Sequence, residues 1–311
     1  MELSKESIEL TDDMFERVSQ DEKNSEEIVR PSLTFWQDAW IRLKANKLAM
    51  AGLTFVVFIT LVAIFGPMLS KYNYYSQDLN MANQPPSGAH WFGTDKFGRD
   101  IFVRILYGAR ISLTVGYVAS LLNIFIGVLY GGIAGYFGGI VDNIMMRIVD
   151  VLYSIPMTIY VILLMVIIGA GLKSIIIALA IGFWLTMARI VRGQIMSLKE
   201  QEFVLAAKTL GASSSRIILK HLIPNCLGPI IVTLTLSVPD AIFTESFLSF
   251  IGLGVSAPQA SWGTLASDAL EGYQLYPTQL LFPALAICLT ILAFNLLGDG
   301  LRDALDPKMR K

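Results

Sequence analysis

Apolar positions along this chain come in long runs, without the strict alternation of a half-buried strand. A helix needs about 20 residues to cross the hydrocarbon core of a bilayer. Six runs approach or exceed that length, at 48–69, 111–137, 151–168, 174–190, 222–242 and 280–297. The first carries no charge, the fourth is the shortest and closes at Arg189 and Arg192, and the fifth is interrupted by Pro224, Pro229 and Pro239. The pattern predicts an all-α, polytopic membrane protein with six transmembrane helices. Ahead of the first run, residues 33–48 set Trp36, Trp40 and Ile41 beside Arg42, Lys44 and Lys47. That mixture suits a helix lying at headgroup level. The first 32 residues hold many acidic side chains and read as a solvated cytosolic tail, with no cleavable signal peptide. The expected organisation is therefore tail 1–32, then 33–110 with the interfacial helix, first span and an outer loop, a core 111–300 holding the other five spans, and a cytosolic tail 301–311.

Composition supports a lipid environment. Hydrophobic residues make up 54% of the chain and charged residues 16%, against roughly 25% charged in ordinary globular domains; mean hydropathy is +0.58. A net charge of −1 supplies no basic field for nucleic acid. Cys226 and Cys288 sit inside apolar runs, with neither metal-ligand spacing nor a disulfide framework. Lysine and arginine set the orientation. With the N-terminus in the cytosol, fourteen of these residues fall on inner segments, from Arg42 and Lys44 through Arg189, Lys208 and Arg216 to Lys311. Six fall on outer ones, Lys71, Lys96, Arg99, Arg104, Arg110 and Lys173, and none on the outer loop 243–278. Both termini are expected in the cytosol.

Signals for catalysis are missing. No G-x-x-x-x-G-K-[ST] phosphate cradle occurs. His90 and His221 have no neighbours at metal-binding spacing, and Ser261 and Ser267 lack a nucleophile-elbow setting. The chain is expected to be a non-catalytic subunit with neither metal nor cofactor. Asp150, Asp240 and Glu245 fall near predicted helix ends, whereas proton-coupled carriers place ionisable groups near the midplane. The energy source is thus expected in another chain, which disfavours a stand-alone secondary transporter. On the second span, Gly127, Gly131, Gly135 and Gly139 recur every fourth residue. Such a stripe allows close backbone approach in lipid, either within the chain or at a subunit interface.

The most informative stretch is the inner loop 201–225, longer than the 2–8 residues usual between helices. It predicts a helix from about Glu202 to Leu210, a turn at Gly211 with φ > 0, and a second helix leading to Pro224. Ala206 and Ala207 offer a small, smooth surface to a partner's groove. Length and mixed polarity mark a docking surface.

Ala206-Ala207, Gly211 and Ile223-Pro224 resemble the cytosolic coupling loop of binding-protein-dependent ABC importer permeases. The resemblance extends from residue 40 to 308. Phe92-Gly93-Thr94-Asp95 with Gly98-Arg99-Asp100, the run from Ser246 to Gly254, Ser261-Trp262-Gly263, and the run from Asn295 to Pro307 resemble the peptide/nickel branch of that family, in particular its C-type oligopeptide permease subunits. The loop departs from the usual Glu-Ala-Ala at its first position, Leu205, so an ion pair from that carboxylate is not carried over. The resemblance implies a type I importer (MetI-like) core and a multi-pass protein of the bacterial plasma membrane. It assigns Glu202, Leu205, Ala206, Ala207, Lys208, Gly211, Ala212, Ser213, Arg216 and Pro224 to ATPase coupling. The implied partners are a second homologous permease subunit, two ATP-binding subunits, an extracellular peptide-binding protein and peptide cargo. Dipeptides, nickel or glutathione are the alternative cargoes on the same architecture. The loop 243–278 is expected to dip back towards the pore mouth.

Overall fold

A computed structural model describes residues 34–306. These fall into a short leading unit, 34–38, and a main unit from Ala39 onward. The tail read at 1–32, and Lys308, Arg310 and Lys311 of the other tail, lie outside the described residues. The described residues are helical with no strand, only an isolated bridge between Thr94 and Asp100. The helices are α1 (Phe35–Ala45), α2 (Lys47–Leu69), α3 (Ile101–Phe137), α4 (Gly139–Tyr153), α5 (Met157–Ile168), α6 (Leu172–Leu198), α7 (Glu202–Thr209), α8 (Leu227–Leu248), α9 (Trp262–Ala269) and α10 (Pro277–Leu305). Five segments are long and apolar enough to cross a membrane: α2, α3, α6, α8 with the turn after it, and α10. A sixth exists if α4 and α5, bent by 81° at their junction, count as one broken span.

Small residues set how closely the helices approach. On α2 the buried positions are Ala49, Gly52, Val56 and Ala63, one narrow stripe. A Cβ at Gly52 would lie 2.6 Å from the Ala293 carbonyl oxygen of α10, and one at Gly300 would strike Ala49. Flanking residues such as Leu53, Phe55 and Ile59 are half-buried, and Phe58 and Phe65 are exposed, as befits a helix with one lipid-facing side. Between α3 and α6 the same device is stronger. Gly127 faces Met187 and the Trp184 carbonyl, Gly131 the Ala188 carbonyl, and Gly135 the Arg192 carbonyl. The stripe is therefore filled within this chain along three of its four positions. Gly139 departs from the sequence expectation: with Gly138 it closes α3 and opens α4 at φ +53, and a Cβ there would meet nothing.

Several helix bounds differ from those expected, each for a physical reason. α3 begins at Ile101, so Arg104 and Arg110 belong to a helix and not to a loop. Asp100 caps it, its side chain accepting from the Val103 amide at 2.8 Å. At 37 residues, α3 is about 55 Å long, well beyond a hydrocarbon core. The run 151–168 is broken at Ser154-Ile155-Pro156, because proline disfavours helix at the preceding residue. α6 continues past Arg189 and Arg192 to Leu198, as both arginines find carboxylates: Asp150 at 2.8 Å and Asp142 at 2.5 and 2.6 Å. The run 222–242 is replaced by a π-helical turn Ile217–Leu222, a short turn Ile223–Asn225, and α8, which continues into a second π turn Ser249–Leu253. Pro224 thus opens the short turn and not the long helix.

Within 243–278 the chain forms the short helix α9. Ser261 caps it in a reciprocal capping box with Thr264. Trp262 is wholly buried, its indole N–H donating to the Ile105 carbonyl at 3.1 Å and its amide to the Ser112 hydroxyl at 3.3 Å.

Candidate functional site

α7 and the turn after it are built as a rigid elbow. Val204 is fully buried and Ala207 nearly so, packed with Val191, Ile195, Ile217 and Leu222. The Lys208 ammonium lies 5.5 Å from the centre of the Tyr136 ring. Gly211 stands at φ +77. Its amide donates to the Lys208 carbonyl at 2.9 Å, and the Ala212 amide donates to the Ala207 carbonyl at 3.0 Å. These two bonds are a Schellman motif, with the left-handed residue just beyond the helix end. Ser213 then caps the next turn, its hydroxyl accepting from the Arg216 amide at 3.4 Å.

The outward face differs from the one read in sequence. Ala206 is exposed but Ala207 points into its own chain, so the two alanines do not form one surface. Phe203, Ala206 and Leu210 lie outward at i, i+3 and i+7, one helical stripe, with Leu205 beside it. Leu210 is 87% exposed. Phe203 and Leu210 are not among the residues that the sequence resemblance assigns, although their spacing marks the same outward stripe. Glu202, Lys208, Gly211, Ser213, Arg216 and Pro224 are also exposed, and Ala212 is half-buried.

A cavity of about 640 Å³ opens between α3, the α4–α5 break, α6 and α8. Its walls include Asn123, Tyr153, Pro156, Phe183, Ser237 and Asp240. Asp240 corrects the sequence reading: α8 with its turn extends from Leu227 to Leu253, which puts Asp240 mid-helix and not near an end. Glu245 is corrected as well. It is fully buried, and its carboxylate accepts from Ser112 at 2.8 Å and Ser249 at 2.7 Å. The Ser112 bond thereby ties α8 to α3, and no ion pair to Glu245 occurs among the described residues. Asp150, by contrast, closes α4 and pairs with Arg189.

The charged motif before α3 is a clamp. Asp95 accepts from the amides of Phe97 and Arg99, from the Arg99 side chain at 2.7 Å, and from Arg104. Asp268 on α9 lies 3.5 Å from Arg104 and 3.8 Å from Arg99. His90, expected to be a lone histidine, sits 2.8 Å from Asp100. Among the described residues no group of three His, Cys, Asp or Glu is placed to hold a metal. These side chains fix loops to helix ends, at the end of α3 opposite the α7 elbow.

Comparison with known proteins gives a consistent answer. The family model described as "Binding-protein-dependent transport system inner membrane component" matches residues 127–311, and that for the "N-terminal TM domain of oligopeptide transport permease C" matches residues 34–86. The chain is 56% identical to the oligopeptide transport system permease protein OppC of Bacillus subtilis (strain 168), covering 96% of this chain and 98% of that protein. It is 54% identical to the dipeptide transport system permease protein DppC of the same organism, covering 97% and 95% respectively. Among solved structures, an inward-facing conformation of the MetNI methionine ABC transporter matches with TM-score 0.54 at 19% identity, over 66% of this chain and 96% of that one, a likeness of fold. Helices, motifs and relatives agree that the chain belongs to the inner-membrane components of binding-protein-dependent transport systems, as a multi-pass permease subunit of the ABC importer class.

Proposed function

We propose that this chain forms half of the translocation path of an ATP-driven oligopeptide importer. It pairs with a second homologous permease subunit. Two cytosolic ATP-binding subunits dock on α7 and the Gly211 turn, and an extracellular peptide-binding protein delivers cargo to the opposite end. The chain itself hydrolyses nothing. The excess of lysine and arginine on the α7 side supports a cytosolic placement of that end and of both termini.

One observation carries this reading: α7 is anchored through Val204 and Ala207 while Phe203, Ala206 and Leu210 are exposed among the described residues. An apolar stripe on a rigid elbow fits a partner groove. Motion of that partner would reach α3 and α6 directly, because the elbow's anchor residues pack on α6. The two permeases with 56% and 54% identity carry oligopeptide and dipeptide in their names, which supports peptide cargo and leaves length as the variable. The test is uptake by liposomes holding the complete complex. Longer peptides should enter with ATP and binding protein, and neither this chain alone nor the complex without ATP should support uptake. Uptake confined to dipeptides would move the cargo to the shorter class.

A further inference from the structure

The cavity between α3, α5, α6 and α8 has a one-sided chemistry. None of its lining residues is lysine, arginine or histidine. Four of its six hydroxyls spend their hydrogens on the backbone: Thr233 donates to the Pro229 carbonyl at 2.8 Å, Ser237 to the Leu234 carbonyl at 2.7 Å, Thr244 to the Asp240 carbonyl at 2.7 Å, and Tyr160 to the Leu152 carbonyl at 2.6 Å. A hydroxyl used this way shows only lone pairs to the cavity. Asn123, 2% exposed, keeps its side-chain oxygen without a donor among the described residues. Asp240 is the one charged residue of the lining. Its side chain is exposed, and no described cation pairs with it. Met157, Phe183 and Leu236 are among the apolar residues of the same lining.

We propose that Asp240 is a specificity-determining residue of the transport cavity, favouring cargo that carries a positively charged side chain. A carboxylate among apolar walls has lost part of its hydration and gains most from a cation. The acceptor-only hydroxyls add partners for the several N–H donors of an ammonium or guanidinium group. An anionic side chain meets no cation in the lining and is repelled by Asp240. Selection acts on cargo already released from the binding protein, so this chain adds a second filter to the importer.

The inference rests on the peptide-import reading above, and the experiment separates the two. Liposomes with the complete complex are supplied with a short peptide carrying one lysine, and with the same peptide carrying norleucine instead, each saturating the binding protein. The wild-type complex imports the lysine peptide faster. Asp240→Asn lowers the lysine-to-norleucine ratio by about tenfold, equivalent to about 1.4 kcal/mol, and Asp240→Glu restores it. Because the ratio is taken within one preparation, the amount of folded complex cancels. An unchanged ratio in Asp240→Asn overturns the assignment, and so does an equal loss of both peptides, which marks a structural role. If the wild-type complex imports neither peptide, it is the import reading that fails.

Discussion

A methyl group at Gly131 would sit on the carbonyl oxygen of Ala188, and backbone cannot rotate away as a side chain can. Gly131→Ala must therefore push α3 and α6 apart along the interface that Gly127 and Gly135 share. Overpacking of this kind is worth about 1–3 kcal/mol. We expect Gly131→Ala to lower the thermal midpoint and yield of the purified chain, measured beside Gly193→Ala on α6, where a Cβ meets nothing. Equal behaviour of the two variants would contradict the packing. The glycine spacing was legible in sequence because lipid rewards close backbone approach, but its partner was not, since a stripe says nothing about which helix fills it. Asp240 shows the same limit. Its residue type was visible, yet its depth depended on where α8 ends, and the burial of Glu245 by serines from α3 and α8 allowed the helix to continue past a charge.

At the scale of elements, charges and prolines misled where partners across space decide. Arg189 and Arg192 read as a helix end, but Asp150 and Asp142 let α6 proceed for a further two turns. Pro156 breaks a run that hydropathy alone joins, and the break lines the cavity. The α7 elbow was the best-read element. A helix followed by glycine has a local cause, the left-handed closure, so the sequence carries it without help from the fold. Which alanine points outward was not local, because it depends on α6 and the turn Ile217–Leu222 lying beneath. The outward stripe gives a prediction of its own. Leu210 is 87% exposed in this chain, so Leu210→Glu changes its stability by no more than about 0.5 kcal/mol. Placed against a partner groove, a buried charge is strongly unfavourable. The variant should insert and fold normally while co-purifying with markedly less ATP-binding subunit; undiminished co-purification would remove Leu210 from the interface.

For the whole molecule, two ends of α3 do different things. The end near Asp100 is clamped by Asp95, Arg99, Arg104, Asp268 and the buried Trp262, which makes it a stiff frame for the loops around it. The other end packs on α6 and α7, where the chain offers its apolar stripe and a left-handed turn at Gly211. Between them lies the cavity, walled by a broken helix pair. On this account force enters at the α7 elbow and reaches the cavity through α3 and α6. Gly211 is the place to test it, because φ +77 suits glycine and nothing crowds its Cβ position. A β-branched residue there meets only backbone strain, of order 1–3 kcal/mol, which tilts α7 without disturbing the helices. The decisive measurement is ATPase activity of the reconstituted Gly211→Val complex, with and without loaded binding protein, after its subunit composition has been checked. The account predicts an assembled complex whose ATPase activity no longer rises with loaded binding protein and whose uptake is severely reduced, with Leu205→Ala milder. Normal stimulation and normal uptake in fully assembled Gly211→Val complex would contradict it.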